Sequence, residues 1–369
     1  MDLDEDEIRS LQKQIEFNKT ESETLRNLVE DARRLGDEAR EQNEELRDAA
    51  QNIRDKLDEE SYLRTSAWIE DTNADDHVVG IDGSFQTVGG QGGIWYVPYS
   101  IARVEFDSGP GSEPKSEGDR PIGIETVEES DTTAVQAKAA RKMMVGETKA
   151  IRNWGAKGID SILFIDGPIM DPPSYSGSDY VADRCDAVRV CFGHCRPVGC
   201  VKRSRDRFFI EHLRDEDLLT DIESKRFPSD QHLMLHVFSK CRERGDEGPL
   251  FSKPIEIDTD DSTVQSYRDE DVYISIMFFQ AGLGKQVLRL DIPTASPPEQ
   301  VDDFDEKVRR TVKNVDSWIY PGQEVPLPVE LADQKCRIRK GCAEVLYDEI
   351  MSRSRTSNKY SQIITETIR

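Results

Sequence analysis

Three acids in this chain stand where their neighbours make a carboxylate costly. The stretch Thr133–Gly155 reads as a helix whose apolar stripe runs through Ala140, Met143, Met144, Ile151 and Trp154, and Glu147 lies inside that stripe. A carboxylate turned toward a core needs a cation or hydrogen-bond donors to meet it. Two apolar strands can supply company, and each runs into Asp-Gly: Val78-Val79-Gly80-Ile81-Asp82-Gly83 and Ile162-Leu163-Phe164-Ile165-Asp166-Gly167. Asp82 and Asp166 are therefore expected at strand ends, where ligands gather in open α/β sheets. The glycine after each lets the chain turn sharply. Three hard oxygen donors without histidine or cysteine suit manganese or magnesium, not zinc. Two such ions about 3.5–4 Å apart activate a water and steady the leaving oxygen in phosphodiester hydrolysis.

The next apolar strand, Val198–Val201, ends in Lys202-Arg203-Ser204-Arg205. That run falls on the same rim and offers phosphate contacts, with Lys202 placed to orient the phosphate. Phe208 and Phe209, just beyond, are read as core residues in preference to base-stacking ones.

The elements that must position these groups follow from the pattern. After the strand at Val78, a Gly-rich turn at Gly89–Gly93 leads into a second strand over Trp95–Phe106, and Asp107–Pro121 reads as a polar loop. The helix with Glu147 and the strand with Asp166 come next, then a loop over Asp171–Gly177 and a helix around Val181–Val190. Residues 206–270 give no clear assignment. Asp271–Phe279 and Lys285–Ile292 form a hairpin around Gly282-Leu283-Gly284, and Val329–Ser352 reads as one helix. Strands alternating with helices, then a hairpin, give an α/β class with a mixed sheet.

The first 60 or so residues are different in kind. They are helix formers with a sparse apolar stripe through Ile8, Leu11, Ile15, Leu25, Leu28, Leu35, Leu46, Ile53 and Leu57, and the heptad they make is imperfect. A coiled-coil-like arm, a helical hairpin and an arm that docks on a partner all fit. The expected division is an arm over residues 1–70, a main domain over 71–353 and a polar tail over 354–369.

The chain has 369 residues, 73 acids against 49 bases, and a formal charge of −24. That excludes nucleic-acid binding by bulk positive charge but not by a local basic channel. An acidic surface also suits a halophilic cytoplasm, where screening hides the repulsion. No apolar run is long enough for a membrane span and the N-terminus has no signal-peptide core, so a cytoplasmic location is expected. Seven cysteines, an odd number, argue against a disulfide framework. Cys185, Cys191, Cys195 and Cys200 cluster with His194, without the paired spacing of a zinc site, and read either as metal ligands or as buried thiols.

In order and spacing, Ile81-Asp82-Gly83-Ser84, the helix with Glu147, Phe164-Ile165-Asp166-Gly167-Pro168, Val201-Lys202-Arg203-Ser204, the late hairpin and Pro326–Asp333 opening the last helix resemble the NurA nucleases over roughly residues 77–350. The resemblance implies a ribonuclease-H-like fold, manganese-dependent cleavage of DNA, metal ligation by Asp82, Glu147 and Asp166, a homodimer, and docking on the hexameric ATPase HerA in the processing of DNA ends. It departs at the C-terminal motif. Val325 and Asp333 stand where the family carries a tyrosine and a metal-binding histidine, with Tyr320 the nearest tyrosine. Asp333 can still ligate a hard cation. Two further readings follow: a weak or inactive subunit that regulates a motor ATPase, and a Mg²⁺-dependent phosphatase using the same acids.

Overall fold

The structure is a computed structural model that describes residues 5–89, 93–115, 122–170, 178–320 and 322–353, with the side chains of residues 5–23, 25, 39 and 41–43 of the first helix, and of residues 122 and 178, left aside. The expected loop over Asp171–Gly177 and the tail over 354–369 lie outside the described residues, as do parts of the Gly89–Gly93 turn and the Asp107–Pro121 loop. In chain order the elements are α1 (Glu5–Glu59), β1 (Leu63–Thr65), β2 (Val78–Phe85), β3 (Val88–Gly89), β4 (Ile94–Phe106), β5 (Ile122–Glu128), α2 (Thr132–Gly155), β6 (Ser161–Asp166), α3 (Ser178–Cys191) and β7 (Cys195–Val201). There follow α4 (Phe208–Asp215), α5 (Asp221–Arg226), α6 (Asp230–Glu243), β8 (Leu250–Ser252), β9 (Ile255–Glu256), α7 (Ser262–Asp269), β10 (Tyr273–Gln280), β11 (Leu288–Thr294), α8 (Phe304–Trp318), α9 (Leu327–Cys336) and α10 (Lys340–Arg353).

One mixed sheet organises these elements, in the order β1-β8-β10-β11-β7-β6-β2-β4-β3, with β5 on β4 and β9 on β10. Its centre is parallel: β2 pairs with β6, and β6 with β7. The strands β5, β4 and β2 make an antiparallel meander on one side of that centre. Strands buried on both faces need apolar residues at every position, which is why Val78–Ile81 and Ile162–Ile165 are almost unbroken apolar runs.

Alternation along β2 and β6 sorts the two faces. Val79, Ile81, Leu163 and Ile165 face a core shared with α2, α3, α6 and the end of α1. Val78, Ile162 and Phe164 face a second core built with α8 and α9, where Val308, Val312, Val315 and Trp318 are buried. By the same alternation Asp82 and Asp166 belong to the α9 face, and Gly83 to the α2 face.

The helix expected over Thr133–Gly155 is α2. Asp131 caps it by accepting from the Thr133 amide, a contact that satisfies one of the orphan donors of a helix start. At its end Gly155 makes room for α3, since a Cβ there would lie 2.9 Å from Cys191 Sγ. Cys185, Cys191, Cys195 and Cys200 are all buried in the packing of α3 and β7.

One expectation changes, and two open readings are resolved. The single helix over Val329–Ser352 is two, α9 and α10, broken at Arg337-Ile338-Arg339. The break is tertiary in origin: the Ile338 amide donates to Ser84 Oγ at 3.2 Å and its carbonyl accepts from Gln86 Nε2 at 3.1 Å, so the end of β2 and the residue just past it take the groups that a helix would use. Residues 206–270, unassigned from sequence, hold four short helices and two short strands. Here Asp230, fully buried, accepts from the Phe209 and Ile210 amides and fixes the start of α4. Finally, the first residues form one continuous helix of 55 residues, not a hairpin.

Among the described residues, that helix meets the body near its end. Ala50, Ile53 and Leu57 are fully buried, packed on α6, while Leu28 and Leu35 stand exposed. The α6 seat carries a histidine pair, His232 and His236, in edge contact at 4.8 Å beside Phe227. Burial first, then His232, Arg47 and Lys240, pull His236 down to about 4. The folded state therefore resists a proton that the unfolded chain accepts below about 6.5, so stability falls as pH drops from there toward 4. Between pH 7 and 4.5, His236→Gln should lose less melting temperature than the wild type, by the part of the pH dependence that His236 contributes.

No helix among the described residues is long and apolar enough to cross a membrane.

Candidate active site

Parallel pairing sets the frame. The β2–β6 ladder ends at Ile81↔Ile165, so Asp82 and Asp166 lie side by side one step further on. Asp166 ends β6, as expected from sequence. Asp82 does not end β2. The long partner β4 carries β2 on to Phe85, with Asp82 opposite Ala102. Asp82 therefore stands where parallel pairing stops and antiparallel pairing continues, and the strand behind it is held rigid.

Lys202 follows β7 at once, and its Nζ lies 2.7 Å from Asp166 Oδ2. Burial works to lower this ammonium, but Asp166, Asp82 and Asp333 outweigh it and hold it above its ordinary value. The lysine is a resident cation for the acids. Further along the basic run, Arg203 and Arg205 are exposed, while Ser204 and Asp206 bind Arg289. Arg289 in turn grips the fully buried Asp291, whose Oδ2 accepts from the Ile169 amide at 3.1 Å. This buried pair ties β11 to the segment that leaves Asp166. Phe209 is core and Phe208 packs partly against it, as read from sequence.

The fourth wall is α9. It lies directly on β2 because Gly80 has no side chain: a Cβ there would stand 2.2 Å from the Pro328 carbonyl carbon and 2.6 Å from the Val329 amide nitrogen. This approach sets Cys336 against Asp82, its Sγ donating to Oδ2 at 3.5 Å. Asp333 and Glu330 on the same helix are near enough to raise Asp166. Asp333 is itself ion-paired with Arg337. Val325 is fully buried in the core that α8 and α9 share, and the Tyr320 amide is taken up by Gln323.

The electrostatics are those of crowded acids. Asp82 is pushed up to about 7, by burial first and then by Asp166, against the Gly83 amide, Cys336 and Lys202, which lower it. Asp166 is raised by burial, although Lys202 pulls the other way. Burial, Asp82, Asp333 and Glu147 all push the Cys336 thiol up.

Glu147 comes to this rim from the other face of the sheet. It is buried, but α2 packs on the opposite face of the sheet from α9, so Glu147 approaches from behind. A Cβ on Gly83 would stand 2.7 Å from Glu147 Oε1 and 2.8 Å from Met143 Cγ. The missing side chain of Gly83 is thus the gap into which this carboxylate fits. Among the described residues, no three His, Cys, Asp or Glu side chains are brought together closely enough to hold a metal ion between them. Asp82, Asp166, Lys202, Asp333 and Cys336 share one face, and Glu147 reaches the rim from the other.

Cys336 and Glu330 were not singled out from sequence. The spacing Glu330, Asp333, Cys336 was visible there, since residues three apart share a helix face. The packing of that face on β2 was signalled only by Gly80.

A divalent cation fits this donor set in chemistry. Hard carboxylate oxygens dominate it, they repel one another across Asp82 and Asp166, and Lys202 already occupies one of them as a cation.

The sheet order β5-β4-β2-β6-β7, an antiparallel meander continued by two parallel strands with α2 and α3 in the crossovers, makes the fold ribonuclease-H-like. Within that class the particular likeness is to NurA. The NurA nuclease of Sulfolobus solfataricus superposes with a TM-score of 0.52 at 18% identity, over 85% of this chain and 92% of its own. A second NurA structure reaches 0.45 at 9% identity, over 78% and 92%. Endonuclease V of Ciona intestinalis, in complex with inosine-containing DNA, reaches 0.35 at 13% identity, over 83% and 99%. No protein-family model matches the sequence, and no curated protein does. The chain therefore shares the NurA fold over most of its length.

Proposed function

We propose that this chain is a divalent-metal-dependent DNA nuclease that hydrolyses phosphodiester bonds. The observation that carries the reading is the Asp82–Asp166 pair with Lys202 at the rim of a ribonuclease-H-like sheet. Asp82 and Asp166 would hold Mn²⁺ or Mg²⁺, with Glu147 and Asp333 as the further oxygen donors from α2 and α9. When bound, such an ion supplies Lewis-acid polarisation of the phosphate and a water of lowered pKa.

The chain's own groups do the rest. Lys202 stays charged across the working pH range, neutralises Asp166 in the free protein and turns to a phosphate oxygen when substrate arrives. Cys336 fixes the orientation of the Asp82 carboxylate by donating to one oxygen. Arg203 and Arg205 lie exposed beside the site, as a local basic patch in an otherwise acidic protein requires. The resemblance to NurA further supports a homodimer, a HerA-type hexameric ATPase as partner, DNA ends as substrate and action in the cytoplasm.

A second reading has two specific observations behind it. Asp333 is engaged by Arg337, and Glu147 comes from the far face. Both fit a subunit of weak activity that regulates a motor ATPase. Incubation of single-stranded and linear double-stranded DNA with the purified chain separates the readings. Cleavage with Mn²⁺ that stops with EDTA and drops roughly 100-fold in Lys202→Ala is expected for the nuclease. Inert DNA with intact binding to the ATPase selects the regulator, and turnover of small phosphate esters alone selects a phosphatase.

A further inference from the structure

The long helix α1 carries a surface that the proposed nuclease chemistry does not use. Where it meets the body, Leu46, Ala50, Ile53 and Leu57 form a seam packed toward α6, spaced by alternating steps of four and three residues. Counting back in the same steps gives Asn43, Ala39, Gly36, Ala32 and Val29. The seam therefore continues without a charged residue past the point where the body ends. Beyond that point it is bare: Val29 is 43% exposed, and the adjoining Leu28 and Leu35 are 62% and 56% exposed. Ala32 and Gly36 are exposed too, and a Cβ on Gly36 would meet nothing. Such small residues let another helix approach closely.

Charge marks one edge of the strip. Arg26, Arg33, Arg40 and Arg47 recur every seventh residue, directly beside the seam. Arg47 shows how this edge is used on the body, where it pairs with Glu243 of α6. Among the described residues, Arg26 and Arg40 pair with the exposed local acids Glu30 and Asp37, and such pairs are worth little.

Self-pairing is disfavoured. An antiparallel copy centred on Ala32 would set Arg33 against the same arginine of the second copy, and Arg26 against its Arg40. A parallel copy would force two bodies, each seated on its own seam from Leu46 onward, into the same space. We propose that residues 26–40 of α1 are a docking strip for a helix of another protein, one with an apolar seam flanked by Asp or Glu. This extends outward the contact that α6 makes at Arg47, and it does not depend on the nuclease reading.

The test uses the full chain and two labelled synthetic helical peptides, alike in their Leu seam, one flanked by Glu and one by Lys. Fluorescence anisotropy should show binding of the Glu peptide about tenfold or more tighter than the Lys peptide. The triple variant Arg26→Glu, Arg33→Glu, Arg40→Glu should reverse that preference. Leu28→Ser with Leu35→Ser should abolish binding of both, and all these exposed changes should leave the melting temperature in place. Equal binding of both peptides, binding of neither, or an unchanged preference in the triple variant overturns the proposal. So does sedimentation showing a dimer of the wild-type chain that Leu28→Ser with Leu35→Ser dissociates, because the occupant is then a second copy.

Discussion

Asp82→Asn and Asp166→Asn are each expected to lower Mn²⁺-dependent cleavage of DNA by roughly 100-fold or more, the scale of losing one preorganised charge-stabilising group. The two acids lie side by side one step past the parallel β2–β6 ladder, Asp82 buried and Asp166 half-buried, and both are raised above their ordinary values, Asp82 to about 7. Removing one charge should relieve repulsion in the free protein, so neither variant should melt below the wild type. Loss of activity together with unchanged or higher stability is the expected signature. A structural pair would behave in the opposite way, losing stability while sparing the chemistry. Cleavage rates and melting curves on the same preparations check this.

Gly80→Ala is expected to destabilise the fold by about 3 kcal/mol or more, toward the upper end of overpacking costs. The reason is that its new methyl would meet backbone, with the Pro328 carbonyl carbon at 2.2 Å, and not the end of a flexible side chain. The fold can accommodate that atom only by moving the start of α9. That helix carries Cys336, which touches Asp82, and Asp333, which acts on Lys202. Cleavage should therefore fall along with the melting temperature, by roughly 5 °C or more on the scale of such changes. Gly36→Ala, in open space on α1, is the control and should cost nothing. A melting temperature that stays put in Gly80→Ala would mean that α9 does not seat on β2 as described.

These two results rest on residues of unequal visibility in the sequence. Asp82 and Asp166 were legible because a charge after an unbroken apolar run has few places to go, and β6 ends at Asp166 as read, although β4 carries β2 past Asp82 to Phe85. Glu147 was legible as misplaced but not as to which face it serves. That depends on α2 packing behind Gly83, a fact of tertiary structure. The seat of α9 was hidden for a similar reason, since only Gly80 signals the close approach. The break at Ile338 was hidden because Ser84 and Gln86, some 250 residues earlier, take its backbone groups. Between residues 206 and 270, α4 was hidden because Asp230, from the start of α6, fixes its first turn, while α5, α6 and α7 begin at local caps, Thr220, Ser229 and Asp261, without an apolar periodicity to mark them. The regularity of α1 was obscured by its small and polar seam residues, Ala32, Gly36 and Asn43, which break an apolar stripe without breaking the spacing.

If the nuclease reading holds, the acids at this rim bind a divalent cation. Titration of the chain with Mn²⁺, followed by the loss of the free-ion signal in electron paramagnetic resonance, tests it without recourse to catalysis. Saturable binding in the wild type, abolished in Asp82→Asn and in Asp166→Asn while both remain folded, is the predicted result. Binding that survives both substitutions, or no binding by the wild type, would contradict it.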